Sequence, residues 1–419
     1  MRSLFDKISN NRQGFHEGIP TEIRRNLIHL YFDIGWYGVL AGSGIAFLSI
    51  FAARLGASTT QVGLVNAIPA LVIILLALPA AGWLEGQSIH RSVFITSVLN
   101  RAGYLFIGLL PWFLSDKWQV WGILSVVLVM SIPGTPLQVG FNALFAAAVP
   151  NEYRGLAAGV RNAVYAITTT VTSVVAGIVL NHFEFPLGFQ IVFAIGFVGA
   201  MMSSFHLWKI RIVEPKKLPV AKRSKESIIA QIKRMLRLDI LRSPFRRTII
   251  ALTVFHFVQY LPVPLFPVYA VRVAEFSDLT ISIGNAVFYT SMFFASTQLE
   301  RFSRLKGNRW ITGTGMMMLG LYPLILSTTH TAAMYYLVSL VGGSAWAFAG
   351  GTLFNYLLER VPNDDRPGHL AWFNLTANAA VLTGSLLGPI ISEGTGIVLA
   401  LVIFAILRIV AGASILRWG

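Results

Sequence analysis

The sequence contains no cysteine among its 419 residues, which excludes disulfide bonds and thiol chemistry. Charged residues are also scarce, at 12% of the chain against about 25% in an average soluble domain. No phosphate-binding glycine loop, metal-ligand cluster or nucleophile–base pattern is recognisable. We therefore predict that the protein is not an enzyme and uses no cofactor or metal. Without a nucleotide site, any uphill work that it performs must draw on an ion or solute gradient.

Apolar residues take the place of the missing charges. They make up 55% of the chain, and runs such as "VGLVNAIPALVIILLALPAAGWL" continue without a charge for ~20 residues, the length needed to cross a bilayer as a helix. Helix is required because the hydrocarbon offers no partner for an open backbone. The sequence thus predicts an all-α integral membrane protein. A soluble protein with a very large core is the weaker alternative, since core helices seldom stay apolar for so long.

Twelve such stretches occur, six in each half of the chain. The first six are Asn26–Ala52, Thr60–Trp83, Ser92–Leu114, Val120–Val149, Gly155–Leu180 and Pro186–Ile210. The second six are Arg247–Val271, Leu279–Leu299, Trp310–Ser327, Ala333–Leu358, Pro367–Ile391 and Gly396–Leu416. We expect a tail (1–25), a six-helix bundle (26–210), a basic linker (211–246) and a second six-helix bundle (247–419). In the linker, "SKESIIAQIKRMLRLDILR" predicts an amphipathic helix on an anionic lipid surface, either as a regulatory element or as a tether.

Two short phrases indicate that the halves are repeats of each other. "VPNEYRG" begins at Val149 and "VPNDDRPG" begins at Val361, and both fall between the fourth and fifth helices of their half. The segments after the first and seventh helices also correspond, with Arg54 matching Arg272 and Asn66 matching Asn285. Such a parallel repeat of six helices makes the bundles pseudo-symmetric and puts both chain ends on the same side of the membrane.

The distribution of basic residues predicts the orientation. Most lysines and arginines fall in the tail, the linker and the loops on the side of the termini, and only Arg54, Lys117 and Arg272 fall opposite. By the positive-inside rule, both termini are cytoplasmic in a multi-pass protein of the cytoplasmic membrane. The net charge of +15 therefore reflects topology. A nucleic-acid partner is not expected, because no nucleic-acid-binding motif accompanies the charge.

The loop between the second and third helices contains a motif that resembles one in a known protein family. It reads "GWLEGQSIHRS", with Gly82, Leu84 and Arg91 in characteristic places. This pattern resembles the glycine–leucine–aspartate–glycine–arginine loop of the major facilitator superfamily of secondary transporters. The match is incomplete, because Gly86 stands at the aspartate position and Glu85 precedes it.

A second motif supports the same resemblance. "TGSLLGPIIS" in the eleventh helix is similar to the family's glycine–proline motif through Gly384, Gly388 and Pro389. In antiporters that motif belongs to the fifth helix, which here reads only "VVAGIVL", so antiport is not supported. The resemblance implies two bundles that rock about a central site, with the first, fourth, seventh and tenth helices around the cavity. It also implies a monomer that works in the lipid bilayer.

Polar groups inside the helices are the best pointers to a site, because they are costly in hydrocarbon unless paired or facing a cavity. Asp33 and Arg101 lie at similar depth, roughly 10–15 Å from the cytoplasmic face at 1.5 Å per residue, so an ion pair is expected. With His256 they are candidates for proton coupling, and a static pair is the competing interpretation. The candidate solute-binding residues are Asp33, Gln138, Asn142, His256, Gln259, Tyr260, Trp346 and Asn378.

The charged residues of the cytoplasmic loops suggest a gate. Glu85, Arg91, Arg154 and Arg366 are the candidates, and simple topology determinants are the alternative. The low charge of the cavity helices favours a neutral or amphipathic small solute. The sequence thus predicts secondary transport by alternating access, with proton coupling as one option. A transport-inactive membrane sensor or scaffold on the same fold is the alternative function.

Overall fold

The structure is a computed structural model that describes residues 19–212, 239–362 and 365–419. Within these ranges the chain forms twelve long helices in two sets of six. The first set comprises α1 (Thr21–Arg54), α2 (Thr59–Glu85), α3 (Ile89–Phe113), α4 (Asp116–Ala148), α5 (Asn151–His182) and α6 (Leu187–Lys209). The second set comprises α7 (Phe245–Val273), α8 (Asp278–Ser296), α9 (Asn308–Leu326), α10 (Ala332–Arg360), α11 (Arg366–Thr395) and α12 (Ile397–Trp418).

Eleven of these helices are long and apolar enough to cross a membrane. The twelfth, α9, has 19 residues, which at 1.5 Å per residue is about 28 Å, close to the hydrocarbon thickness. A short helix, Leu299–Lys306, joins α8 to α9. The all-α membrane fold with two six-helix halves is confirmed. The predicted tail and linker helix fall mostly in residues 1–18 and 213–238, outside the described residues.

Several helices extend beyond the apolar stretches that predicted them, and others end earlier. α1 begins at Thr21 where the apolar stretch begins at Asn26, and α11 continues to Thr395 beyond Ile391, whereas α8 ends at Ser296 before Leu299. Polar end turns are compatible with a membrane helix because the headgroup region solvates them. The apolar pattern therefore locates each helix and leaves its ends uncertain by a few residues.

The two faces of the bundle can be assigned from contacts between helix ends. Asn26 at the start of α1 donates to the carbonyls of Ala148, at the end of α4, and Arg211, after α6. In the second half, Arg309 at the start of α9 donates to Ile415 and Leu416 at the end of α12. We call this side, which holds the C-terminus and the start of α1, the termini face, and the opposite side the far face.

The prolines of α7 interrupt it, whereas those of α4 do not interrupt that helix. Regular helix in α7 stops at Tyr260 and resumes at Leu265, with Pro262 and Pro264 in the gap. α4 continues through Pro133 and Pro136. Proline removes a backbone donor and pushes the preceding carbonyl away, so closely spaced prolines favour a break. The break leaves helix-end carbonyls at the level of the cavity described below.

α1 and α7 each contain a wider turn, at different places in the repeat. A π-helical turn covers Ala41–Ile45 in α1 and another covers Tyr269–Val273 at the end of α7. Such turns shift the side chains that follow and are frequent at functional sites. With Arg54 aligned to Arg272, the turn of α1 corresponds to residues 259–263, where regular helix in α7 is interrupted.

Between the halves, α2 packs against α11 and α5 packs against α8. Within the second half, α11 crosses α7 where Gly388 faces the backbone, and a Cβ there would overlap the carbonyl oxygen of Leu261. This is the close approach that small residues four apart allow in membranes. The similar pair Gly155 and Gly159 on α5 has nothing within 4 Å of a built Cβ, so that pair makes no such contact.

Candidate functional site

Asp33 on α1 is the centre of a buried charged cluster. It is 2% exposed, and its Oδ2 lies 3.0 Å from Nη1 of Arg161 on α5. Its Oδ1 accepts a hydrogen bond of 2.5 Å from the Ser203 hydroxyl on α6. Arg101 on α3, the predicted partner, lies further away, with Nη2 4.0 Å from Oδ1. Four helices therefore meet at one carboxylate.

The cluster carries more positive than negative charge. One carboxylate faces two guanidiniums, and both arginines also bond to neutral acceptors: Arg101 donates to Ser204 and Arg161 to the carbonyl of Leu30. Arg161 lies 5.0 Å from the centre of the Phe141 ring, and such a ring face attracts a cation. These contacts hold the guanidiniums in place but leave the cluster with a net charge of about +1 when Asp33 is ionised.

Arg161 is the residue that sequence reasoning missed. It lies ten positions after Asn151, the first residue of α5, so at 1.5 Å per residue it is about 15 Å deep. The depth argument that singled out Arg101 applies equally to Arg161. Arg161 lies inside the predicted stretch Gly155–Leu180, so its position was available as a signal.

A cavity of about 580 Å³ lies beside this cluster. Asp33, Arg101 and Arg161 form part of its wall, and the predicted Gln138 and Asn142 of α4 form another part. We call it the charged cavity. The structure thus brings together three of the eight predicted solute-binding residues, and adds two arginines to them.

A second cavity of about 410 Å³ lies between the halves, and seven of its 20 lining residues are aromatic. The predicted Gln259, Tyr260 and Trp346 are in its wall, so we call it the aromatic cavity. Asn66 and Asn285, the matched pair from the repeat, also line it. Both halves therefore contribute to this space.

Three tyrosines connect the two cavities. Tyr37 lines the charged cavity and Tyr289 the aromatic cavity, and Tyr165 on α5 lies between them. The ring centres of Tyr37 and Tyr165 are 6.2 Å apart, and those of Tyr165 and Tyr289 are 6.4 Å apart. The cluster at Asp33 is thus in physical contact with the second half.

Two predicted residues lie apart from these cavities. Asn378 donates to the carbonyl of Asn374 and lines a crevice between α2 and α11. His256 bonds through Nδ1 to the carbonyl of Leu252 and packs edge-on against Phe373 of α11. Their surroundings are those of residues at helix contacts.

The predicted gate residues lie at the termini face. Glu85 and Arg91 are exposed on either side of the α2–α3 loop. Arg154 donates to the carbonyls of Ala146 and Val149, so it caps the end of α4 within its own half. Arg366 is the first residue of α11. The contacts of Arg154 stabilise a helix end and do not join the two halves.

The far face holds contacts that do join the halves. Arg54 at the end of α1 bonds to the Asp278 carboxylate at 3.0 Å and to the carbonyl of Phe276 at 2.6 Å. Arg272 at the end of α7 bonds in return to the carbonyl of Ala57 at 2.5 Å. Ala57 and Phe276 occupy matching places in the repeat, each just before the capping serine of the next helix. We call this exchange the arginine lock.

A further contact closes the same face. Glu393 near the end of α11 accepts hydrogen bonds from the hydroxyls of Thr59 and Thr60 at the start of α2. Together with the arginine lock, this contact ties the first half to the second at the far face. The conformation is therefore one in which the far face is closed.

The fold and the cavities define an integral membrane protein of two six-helix halves around a central space. Residues 34–367 match the Major Facilitator Superfamily, and the chain belongs to that family. No curated protein matches the sequence significantly.

Solved structures of similar fold are transporters. The chain is similar to the inward open xylose transporter XylE from E. coli, at 14% identity and a TM-score of 0.69, over 94% of this chain and 95% of that chain. It is similar to a bacterial homologue of the iron transporter ferroportin in an inward-facing state, at 14% identity and a TM-score of 0.69, over 95% of this chain and 99% of that chain. It is also similar to the nucleoside transporter NupG, at 14% identity and a TM-score of 0.65, over 95% of this chain and 99% of that chain. At these identities the likeness shows the fold alone.

Proposed function

We propose that the protein is a secondary active transporter that moves a small amphipathic solute across the cytoplasmic membrane by alternating access. We place the termini face in the cytoplasm because the basic residues concentrate there, whereas Arg54, Lys117 and Arg272 lie at the other end. The far face is then the exterior. Since the arginine lock closes it, the conformation corresponds to an inward-facing state of a monomer in the lipid bilayer.

The observation that carries this proposal is the buried carboxylate of Asp33 in the wall of a cavity. An intramembrane carboxylate is costly and is therefore expected to serve a function. We propose that it binds the coupling proton. Protonation would remove the only negative charge that faces Arg101 and Arg161 in the cluster, so the helices that carry them would repel one another more strongly. Proton binding would thereby favour one conformation over the other, and the conformation would bias proton binding to the same extent.

The residues that line the aromatic cavity support the proposal that the solute is amphipathic. The aromatic cavity offers ring faces beside the amides of Gln259, Asn66 and Asn285. Apolar walls with a few polar groups are typical of small-molecule sites. The roles predicted for His256 and Asn378, and for a gate at Glu85, Arg91, Arg154 and Arg366, remain predictions.

The test is transport by the purified protein in sealed lipid vesicles. A panel of labelled small solutes is offered with and without an imposed pH gradient, first for exchange and then for accumulation. With Asp33→Asn, we expect exchange of a transported solute to persist and pH-driven accumulation to disappear, because the site can no longer gain or lose a proton. The control is Glu300→Gln, which changes an exposed acid in the same way.

The outcomes separate the possible functions. Accumulation that keeps its pH dependence in Asp33→Asn would show that Asp33 is not the coupling site. A wild-type protein that inserts correctly but moves no solute of the panel would favour the sensor or scaffold function. Specific flux of any solute would exclude that alternative.

A further inference from the structure

The second half buries one arginine in the middle of its last helix. Arg408 of α12 is 1% exposed and is the largest fully buried side chain of the described residues. A guanidinium stays charged in proteins, so burial cannot be relieved by losing a proton. Such a charge is strongly disfavoured unless an opposite charge or several hydrogen bonds compensate for it.

The protein compensates for this charge only in part. Arg408 donates from Nη1 to the carbonyl of Leu319 at 3.0 Å and from Nη2 to the carbonyl of Gln259 at 2.7 Å. Its Nε is buried without a hydrogen-bond partner. Carbonyl oxygens are dipoles and cancel no charge, and in the described part of the chain no carboxylate forms an ion pair with Arg408.

The two halves differ at this point. In the first half, Asp33 on α1 faces Arg101 and Arg161. If Arg54 is aligned with Arg272, the position on α7 that matches Asp33 holds Ala251. The second half therefore buries a guanidinium on α12, the counterpart of α6, and has no carboxylate at the position that matches Asp33.

The aromatic cavity is where such a charge can enter. Arg408 is part of its wall, together with the rings of Phe266, Tyr322 and Trp346. The side-chain oxygen of Gln259, also in this wall, is buried without a partner, so it can accept a hydrogen bond from a donor group of a ligand and not from its carboxylate. The volume of about 410 Å³ is in the usual range for a small organic ligand.

We propose that Arg408 binds the carboxylate of an amphipathic organic monoanion whose aromatic or apolar part packs against these rings. The planar guanidinium suits a carboxylate because two parallel N–H groups can meet its two oxygens. One unpaired positive charge selects a single negative charge. The inference rests on the proposed transport function and makes its solute an acid.

The test is equilibrium binding to the full-length protein in nanodiscs of neutral phosphatidylcholine, at one pH and with no gradient. The probes are labelled indole-3-acetate and its neutral amide, indole-3-acetamide, which have nearly the same shape. We expect the wild type to bind the acid at least about tenfold more tightly than the amide, as for a charge-assisted pair out of water. Equal binding of the two, or binding of neither, would overturn the proposal without any variant.

Variants then assign the effect to Arg408. With Arg408→Gln, we expect the affinity for the acid to fall by at least about tenfold, to the level of the amide, because the paired charge is gone. Arg408→Lys should keep part of the preference for the acid, and Arg417→Gln, an exposed change on the same helix, should behave like the wild type. An acid affinity unchanged by Arg408→Gln would contradict the proposal.

Thermal unfolding without ligand separates binding from a purely structural role. If Arg408 is a ligand-binding residue, Arg408→Gln removes a buried charge that the free protein compensates only in part. The Tm of this variant should then equal or exceed that of the wild type. If Arg408 only links α12 to α7 and α9, its loss lowers the Tm, and that result would count against the proposal. Binding without pH-driven accumulation in vesicles would overturn the proposed function alone. Accumulation of a neutral solute without acid binding would overturn the inference alone.

Discussion

Asp33 shows how one residue can connect several helices. Its two oxygens are bonded to Arg161 and Ser203, and Arg101 completes the cluster at 4.0 Å. Coulomb attraction weakens with distance, so the nearer arginine should contribute more to stabilising this buried cluster. Sequence depth alone identified Asp33 and Arg101 but could not rank the arginines, since the ranking depends on how α5 packs on α1.

This ranking gives a prediction about stability. Arg161→Gln should destabilise the folded protein more than Arg101→Gln, because it breaks the 3.0 Å pair and leaves the carboxylate with the more distant arginine. Removing one partner of a buried pair costs about 3–5 kcal/mol. Thermal unfolding of the purified variants in one detergent measures the order.

A double variant checks the physical cause. Adding Asp33→Asn to Arg161→Gln should restore part of the lost stability, since it removes the stranded charge. Arg304→Gln, in an exposed pair with Glu300, serves as the control and should unfold close to the wild type. Additive losses in the double variant would mean that Asp33 and Arg161 are not energetically coupled.

At the scale of elements, the apolar pattern predicted the long helices well and their irregularities in part. An apolar stretch long enough to cross the hydrocarbon has to be helical, which predicts a helix such as α2. The closely spaced prolines of α7 explain the break after Tyr260. The π-helical turn at Ala41–Ile45 has no such signal, because it depends on packing against α5 and α6. Contacts between the halves, such as the ion pair of Arg54 and Asp278, cannot be predicted from a local sequence pattern because they depend on the tertiary fold.

The crossing of α11 and α7 yields a prediction for an element. Gly388→Leu should prevent α11 from reaching α7, because even a Cβ at this position overlaps the carbonyl oxygen of Leu261. We expect a large loss of correctly folded protein, measured as the monodisperse fraction in size-exclusion chromatography. Gly155→Leu is the matched control, since nothing lies within 4 Å of a Cβ there. Similar yields for the two variants would show that the crossing tolerates separation.

At the scale of the whole molecule, the repeat places like contacts on both halves. The arginine lock uses matching residues, Arg54 and Arg272, each bonded to the loop of the other half. In addition, Arg54 bonds to the Asp278 carboxylate, and Arg272 bonds to the carbonyl of Ala53. A lock made from a few surface contacts can be broken at low cost, as a molecule that alternates between two conformations requires.

Opening of the far face should therefore depend on the arginine lock. In Arg54→Ala with Arg272→Ala, we expect molecules to move from the closed far face toward an open one. If the contacts of each arginine are together worth about 1 kcal/mol, losing both arginines would change the ratio of conformations by about 30-fold. Because the chain lacks cysteine, spin labels can be attached to introduced cysteines alone. Suitable pairs are Lys117→Cys with His330→Cys on the far face and Gln87→Cys with Leu305→Cys on the termini face. Double electron–electron resonance should show a longer distance between the labels on the far face and a shorter distance between those on the termini face, since the halves rock as two bodies.

The control is Arg304→Ala, which is remote from the arginine lock and should leave both distance distributions as in the labelled parent. Distributions that also stay unchanged in the double variant would show that the packing of α2 on α11 and of α5 on α8 is sufficient to close the far face, with the arginines contributing nothing to the balance.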